Sequence, residues 1–457
     1  MALEALIPAS LSSSYLWPSL LALLILSPVF TLLYDITLCK RMPPGPPPLP
    51  FIGNKHQLPT SQPWHQFAAW SRTYGPIFTL WIGRRPTVIL SDPLIAAELL
   101  EKRSAKYSSR PRMPYGKPWL ARRKLLHQAL TPRALRLYKP VQHAEAARLC
   151  AQLSAAPASF EKLIERFTAS VVFSVAYGHR IDSLDAAVIA QRFEFMQYSA
   201  GLNVPGKYLG RDADIQAHGR REAAANVALV EVVRADMARA KRAGKELPDS
   251  LCKMLLELRG RGTDVPLSDR DFSFIPASLF GAGSDTTAST LCTALLALVT
   301  HPHVLVAAHR ELDEVEVLRW RPVAVLGGTP HASTEDDVFE GYYIPAGTTV
   351  LGNSWAINLN EEYYPEPHMF EPLRFHDDVE KRPPRLVELR RIRVSRATRV
   401  LGGRRRICPG AGLAENSVWI VLAKVLWAFD VGPVEGRTYD TFAYTDGFNI
   451  RRRSLNV

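Results

Sequence analysis

Cys408 stands in a sequence context that suits a reactive or metal-binding sulfur. The surrounding segment, Arg404–Glu415, reads RRRICPGAGLAE, and apolar residues follow at helical spacing over Ala414–Phe429. This pattern predicts a basic loop ahead of a helix N-terminus, where free N–H groups and the positive end of the helix dipole favour a thiolate. No CxxC motif and no second Cys or His lies close by in the sequence, which argues against zinc. Ligation of haem iron by the thiolate is the chemistry that fits.

Asp285 and Thr286 interrupt the longest apolar helical stretch, Asp269–Thr300. A lone Thr in a helix usually bonds back to the preceding turn. Here an acid and paired threonines follow the small residues 281–283, which let a large group approach the backbone. Together these residues predict a polar notch in the helix for a ligand and for protons.

Trp119 and Arg123 lie four residues apart in the basic helical stretch Trp119–Leu130 and therefore share one helix face. An indole N–H beside a guanidinium suits an anionic group such as a carboxylate. Taken by itself, the stretch is more simply interpreted as a basic surface helix.

Glu316 and Arg319 form a carboxylate–guanidinium pair three residues apart in a helical stretch. Such pairs are very common, so the motif alone carries little weight. Further along the chain, the FEPLRF run over 370–375 supplies Arg374, which we expect to complete a buried network with the pair.

An uncharged apolar run, Tyr15–Tyr34, precedes these motifs and is just long enough to span a bilayer. A cleaved signal peptide is the alternative, but no basic region precedes the run, and Lys40 and Arg41 follow it. This charge order predicts a retained anchor with the rest of the chain in the cytosol. Pro43–Pro50 reads PPGPPPLP and predicts a stiff extended hinge.

Composition predicts one large mixed domain after the hinge, because 47% of the 457 residues are hydrophobic and no linker divides residues 51–457. Five scattered cysteines fit a reducing environment. Most of the net charge of +12 lies between Lys381 and Arg406, where eleven Lys or Arg accompany a single acid. Because no aromatic residue interleaves these cations, we expect no nucleic-acid binding. A docking face for an acidic redox partner is more plausible, and a solvated segment is the simpler alternative.

Seen together, the motifs follow a specific order along nearly the whole chain. In that order, the chain resembles the cytochrome P-450 family, in particular its membrane-bound fungal microsomal members, including those named for O-methylsterigmatocystin oxidation. The motifs are the apolar anchor, the hinge, Trp119-x-x-x-Arg123, Ala282-Gly-Ser-Asp-Thr-Thr287, Glu316-x-x-Arg319, Pro372-x-Arg374-Phe375 and Arg406-Ile-Cys408-Pro-Gly410.

The resemblance implies a mainly α fold with small β-sheets, an N-terminal transmembrane helix within residues 1–42, a hinge over 43–50 and a haem-thiolate catalytic domain over 51–457. It implies haem b as cofactor, with Cys408 as the axial ligand of the iron. Asp285 and Thr286 would deliver protons to bound dioxygen. The remaining roles it implies are propionate binding by Trp119, Arg123, His331 and Arg406, a structural lock of Glu316, Arg319 and Arg374, and substrate contact by Phe280, Val323, Leu326 and Phe442.

The activity implied by the resemblance is oxidation of a lipophilic small molecule by dioxygen. Electrons would come from NADPH through NADPH–cytochrome P-450 reductase. The chain would be a monomer in the endoplasmic reticulum membrane, in contact with lipid, with a single span and a cytosolic catalytic domain.

The chain also departs from the family pattern. Leu401 and Arg404 stand where relatives have Phe and Gly, the run 311–315 leads directly into Glu316 without the usual helical hairpin, and the bridge Gly210–Gly219 is short. Two alternatives therefore stay open: an inactive, membrane-anchored relative without stable haem, and a haem-thiolate isomerase or dehydratase that needs no reductase. The Asp285–Thr286 pair favours the monooxygenase over the isomerase, since isomerisation needs no proton relay to dioxygen.

Overall fold

The computed structural model of the protein describes residues 13–111, 117–202, 212–261, 267–302, 314–375, 406–445 and 450. Helices dominate these residues and the strands are short, which confirms the predicted mainly α fold with small sheets. The helices are α1 Ser13–Arg41, α2 Pro63–Tyr74, α3 Pro93–Ala97, α4 Ser104–Tyr107, α5 Lys117–Ala129, α6 Pro132–Ala155, α7 Phe160–Tyr177, α8 Ala187–Leu202, α9 Asp212–Arg242, α10 Leu251–Gly260, α11 Asp269–Thr300, α12 Glu314–Trp320, α13 Ser354–Asn358 and α14 Ala411–Ala428.

The main sheet joins distant parts of the chain in the order β1–β2–β6–β3. Strands β1 (Ile77–Ile82) and β2 (Arg85–Leu90) form an antiparallel hairpin. Strand β6 (Thr349–Gly352) runs parallel to β2, and β3 (His331–Ala332) runs antiparallel to β6. A second sheet pairs β4 (Asp337–Phe339) with β5 (Tyr342–Ile344). The main sheet therefore fixes His331 beside the first third of the chain.

Helix α11 begins and ends at local signals in the sequence. The Ser268 hydroxyl accepts a hydrogen bond from the Asp271 N–H at 3.1 Å and caps the first turn. The helix ends at His301, directly before Pro302. Between these ends it packs along α7, and its second half lies in one apolar cluster with α14, the helix that follows Cys408. Because α11 lies in two of the core clusters, its polar residues have fixed surroundings.

Residues 441–445 and Ile450 contact α11 and the segment after α12 from far along the chain. Buried Ser289 on α11 donates to the Ile450 carbonyl at 2.7 Å, and the Tyr444 and Thr293 hydroxyls lie 3.2 Å apart. Arg321, which is also buried, donates to the Thr441 carbonyl at 3.1 Å. These bonds satisfy hydroxyls that α11 buries in its otherwise apolar second half.

The predicted anchor lies within α1, whose side chains are exposed and apolar over much of residues 26–36. Near its C-terminal end, Asp35 accepts two hydrogen bonds from Arg84 at 2.7 and 2.9 Å, which ties α1 to the β1–β2 turn. Among the described residues, α14 has the length and composition of a membrane span, but 44% of it is buried and it follows Cys408 in the core. The transmembrane role of α1 stays a prediction.

Candidate active site

Cys408 lies in a short turn that leads into α14, as predicted. Gly410 occupies the cap position, and its carbonyl accepts the N–H groups of Leu413 at 3.1 Å and Ala414 at 3.0 Å. Gly412 packs closely on α6, since a Cβ there would come within 2.7 Å of a terminal methyl group of Leu135. Gln142 of α6 donates to the Leu413 carbonyl at 3.0 Å. The start of α14, and with it the sulfur, is therefore held against α6.

Arg123 on α5 contacts the cysteine turn directly, because its guanidinium donates to the Ile407 carbonyl. This contact brings two of the predicted cofactor-binding residues, Arg123 and Cys408, to the same place. The charge of Arg123 also acts on the sulfur.

The protonation of Cys408 differs from the expectation for a helix N-terminus. Burial raises the pKa of its thiol above the ordinary value, whereas the backbone N–H of Gly410, the Arg123 guanidinium and the Ala411 N–H lower it by less. The dipole and cation predicted from the sequence are present, but desolvation outweighs them. A bound metal ion supplies the charge that deprotonates a coordinating thiol.

Arg406 and Trp119 form a stacked pair beside the cysteine turn. The Arg406 guanidinium lies 3.9 Å from the centroid of the Trp119 ring, a cation–π contact, and its Nε donates to the Ser108 carbonyl at 2.7 Å. The pair joins α5, the segment after α4 and the cysteine turn at one point.

His331 lies on the other side of this cationic cluster, where it is 3% exposed. Its Nδ1 is 2.7 Å from the Tyr107 carbonyl, and its Nε2 is buried with no hydrogen-bond partner among the described residues. Burial, and the nearby charges of Arg110 and Arg406, lower the pKa of His331 to about 4. The imidazole is therefore neutral at pH 7 and presents one unsatisfied nitrogen.

Arg110 belongs to the same cluster and was missed by the sequence reasoning. Burial and the charge of Arg406 lower its pKa to about 10, and it donates to the Thr329 carbonyl. It lies next to Ser109, whose carbonyl accepts the Ala332 N–H at 2.9 Å. The run RPR over 110–112 is visible in the sequence. Only the pairing of Ser109 with β3, however, brings Arg110 to His331.

One face of the polar notch in α11 is not covered by other described parts of the protein. Ala282 is exposed, and Thr286, one turn later, donates its hydroxyl to the Ala282 carbonyl at 2.7 Å. This bond is the simple back-bond that a Thr in a helix makes. A Cβ on Gly281 would meet open space, whereas one on Gly283 would lie 3.1 Å from Val172 of α7. Gly283 therefore serves helix packing, and the open face belongs to 281, 282 and 286.

Glu316 and Arg319 form a fully buried, bidentate ion pair on α12, with N–O distances of 2.6 and 2.7 Å. Arg374 reaches the same carboxylate at 3.4 Å. The spare Arg319 N–H groups donate to the carbonyls of Asn358 and Pro367, both at 2.9 Å. Arg319 and Arg374 thus share the carboxylate of Glu316, and the predicted lock braces α12 against residues 358–374.

Comparison with known sequences agrees with this arrangement. The sequence model of the family described as Cytochrome P450 matches residues 43–316 and 315–454. The chain belongs to the cytochrome P450 family. It is 32% identical over 462 residues to Cytochrome P450 monooxygenase 88 of Postia placenta, covering 91% of this chain and 90% of the relative. It is 31% identical over 441 residues to Cytochrome P450 monooxygenase fogE of Aspergillus ruber, covering 86% and 80%.

Members of the cytochrome P450 family hold a haem, and the residues of this chain fit that group. A half-buried sulfur at a helix N-terminus suits an iron ligand. The unsatisfied His331 Nε2 and the half-buried guanidinium groups of Arg110 and Arg406 suit the carboxylates of the same molecule. The open face at 281, 282 and 286 leaves space at the α11 backbone.

The four predicted substrate contacts differ in burial and in their neighbours. Phe280 is 1% exposed and packs edge-to-face with Phe173 at 5.8 Å and Phe193 at 6.0 Å, so it is a core residue and has no surface for a ligand. Residue 280 lies about 200° around α11 from Ala282, and a role of Phe280 in substrate contact stays a prediction. Leu326 lines a cavity of about 20 Å³, enough for one water molecule, that also contacts His331.

The other two predicted substrate contacts involve the C-terminal part of the described residues, which Val323 contacts and to which Phe442 belongs. Val323 is buried, and its carbonyl accepts the Ile450 N–H at 2.9 Å. Phe442 is exposed and lies 4.6 Å from the Arg321 guanidinium. Neither contact tests a role in substrate binding.

Several departures from the family pattern fall outside the described residues. Leu401 and Arg404, the window before Arg406 and the start of the bridge at Gly210 belong to this group. Helix α12 is described from Glu314 and is seven residues long, and 303–313 before it are not described.

Proposed function

We propose that this cytochrome P450 is a haem-thiolate monooxygenase that oxidises a lipophilic small molecule. The observation that carries the proposal is the convergence of Cys408 with three guanidinium groups and one neutral imidazole, next to a core helix with an open polar face. These groups belong to Arg123, Arg406, Arg110 and His331. The names of the relatives support a monooxygenase. We infer that the cofactor is haem b.

The residues that would hold the haem fall into two groups, one for the iron and one for the carboxylates. Cys408 would supply the axial sulfur, while Arg110, Arg406, Trp119 and His331 would bind the two carboxylates. When bound, the haem supplies the activation of dioxygen. Arg123 would act on the loop, because its bond to the Ile407 carbonyl orients the residue directly before Cys408.

Asp285 and Thr286 would manage protons on the open face of α11. The Thr286 hydroxyl proton points to the Ala282 carbonyl, so both lone pairs of its oxygen are left to accept a proton donor from the open side. Asp285, half-buried at the next position, would pass protons from solvent to that site. The overall reaction consumes dioxygen, two electrons and two protons, and yields one oxidised substrate and one water.

The electron donor we propose is NADPH–cytochrome P-450 reductase, and the location is the endoplasmic reticulum membrane with a cytosolic catalytic domain. The charge order around α1 supports this location, since Lys40 and Arg41 end the helix. The exposed apolar side chains over 26–36 support contact with lipid.

A carbon monoxide difference spectrum of the purified full chain tests the proposal. We expect the red-shifted Soret band of a thiolate-ligated haem, and we expect Cys408→Ala to abolish it. Cys150→Ala, which changes a half-buried cysteine on α6, is the matched control and should keep the band. A chain that folds but never takes up haem would overturn the monooxygenase assignment and favour an inactive relative.

Dependence on the reductase separates oxidation from isomerisation. Asp285→Asn should slow product formation and let electrons leak to peroxide, because proton delivery fails after dioxygen has bound. Turnover of a substrate without reductase and without dioxygen would instead favour the isomerase or dehydratase.

A further inference from the structure

The hydrogen bonds of His331 define which of its nitrogens carries the proton. Its Nδ1 lies 2.7 Å from the Tyr107 carbonyl, and a carbonyl oxygen can only accept, so Nδ1 carries a proton. A neutral imidazole has one N–H, so Nε2 presents a lone pair. This Nε2 has no partner among the described residues, and the side chain is 3% exposed.

The charged groups around His331 make this neutral form stable only while the cluster is empty of anions. The groups that act on it are Arg110, from the segment after α4, and Arg406, from the cysteine turn, and both are cations. The neighbouring strand β6 contributes neutral Thr349 and Val350. Asp337 is engaged elsewhere, by Arg103, Lys106 and the Tyr107 hydroxyl.

A carboxylate bound in this cluster meets two guanidinium groups and one lone pair. The guanidinium groups attract it, but the unprotonated His331 Nε2 repels it. Protonation of Nε2 turns that nitrogen into a donor while Nδ1 keeps its bond to Tyr107, because both nitrogens of an imidazolium are donors. The negative charge of the carboxylate offsets Arg110 and Arg406 and favours the imidazolium.

We propose that His331 takes up one proton when haem binds and, as an imidazolium, donates its Nε2–H to a haem carboxylate. This inference rests on the proposed haem site. The proton comes from solvent, no bond other than N–H forms, and the Tyr107 contact is kept. Burial and the two guanidinium groups hold the pKa of His331 at about 4 before binding, so the proton is absent at pH 7 until the anion arrives.

Calorimetric titration of the haem-free full chain with haem b, in buffers of different ionisation enthalpy at pH 7, counts the protons exchanged. We expect wild type to take up about one proton more per haem than His331→Gln, since the amide can donate to a carboxylate without protonation. Release of the Cys408 proton on ligation is common to both chains and cancels. His143→Gln, at an exposed position on α6, should match wild type.

The same coupling gives a second readout. At pH values between the pKa of His331 in the free chain and its pKa in the haem-bound chain, binding consumes one proton. The affinity of wild type for haem, relative to that of His331→Gln, should therefore fall about tenfold for each unit by which the pH rises. If His331→Gln does not fold, titration of 15N-histidine-labelled wild type with diamagnetic zinc protoporphyrin IX should convert one neutral histidine to the imidazolium.

The outcomes separate this inference from the proposed function. Haem uptake with a normal carbon monoxide band but equal proton counts in wild type and His331→Gln overturns only the role of His331. Absence of haem uptake overturns both.

Discussion

Replacement of Glu316 by alanine leaves the buried guanidinium of Arg319 without its counter-charge. The carboxylate accepts four hydrogen bonds, two from Arg319, one from Arg374 at 3.4 Å and one from the Glu371 N–H at 3.0 Å. Both Glu316 and Arg319 have 0% exposure, so water cannot replace the lost partner. Removal of one member of such a buried pair costs about 3–5 kcal/mol.

Urea denaturation of the haem-free chain, followed by circular dichroism, measures this loss as a fall in the free energy of unfolding. The matched control is Glu231→Ala on α9, which breaks the exposed pair Arg234–Glu231. A surface pair of this kind contributes about 0–1 kcal/mol. The expected contrast between the two variants is therefore several-fold.

A further substitution tests the cause of the loss. If the cost of Glu316→Ala comes from a buried unpaired charge, then adding Arg319→Met should recover part of the stability, because it removes the buried guanidinium that has lost its counter-charge. A loss below 1 kcal/mol for Glu316→Ala, or a double variant less stable than the single one, would refute the reasoning.

Two other predictions concern packing and pH. Gly281→Ala should raise the free energy of unfolding by up to about 1 kcal/mol through helix propensity. The free energy of unfolding of Gly283→Ala should be about 1–3 kcal/mol lower than that of Gly281→Ala, because its Cβ meets Val172. Equal stabilities of the two variants would contradict the packing role of Gly283. Burial raises the pKa of Asp337, but hydrogen bonds from Lys106, Arg103 and Tyr107 outweigh it and leave the pKa below the ordinary value. The loss of stability caused by Asp337→Asn should therefore be largest above the unfolded pKa of about 3.9 and should disappear as the pH falls through the lower folded pKa. Urea midpoints measured at each pH test this, and a loss of stability that persists in acid would contradict it.

Much of the site could be predicted where the chemistry is local. Spacing of three residues places Glu316 and Arg319 on one helix face, and the structure pairs them. The glycines after Cys408 and the apolar periodicity predict the turn and helix that the structure contains. The bounds of α11 also followed from local signals.

The features that the sequence could not predict are those that long-range packing decides. Phe280 and Ala282 are two residues apart and point to opposite sides of α11, so one packs into the core and the other is exposed. No local pattern says which side faces a ligand. Arg110 was missed for the same reason, since only the pairing of Ser109 with Ala332 brings it to His331. The Cys408 pKa depends on burial by distant helices, which the sequence around it does not encode.

The bond from Ser289 to Ile450 has a consequence for how the protein is made. The two residues are 161 positions apart, so α11 leaves the ribosome long before its hydroxyl can find this acceptor. Contacts of such high sequence separation slow folding, because a long loop must close before they form. During synthesis the central helix is therefore exposed with unmet hydrogen bonds, and assistance by chaperones would matter most in that interval.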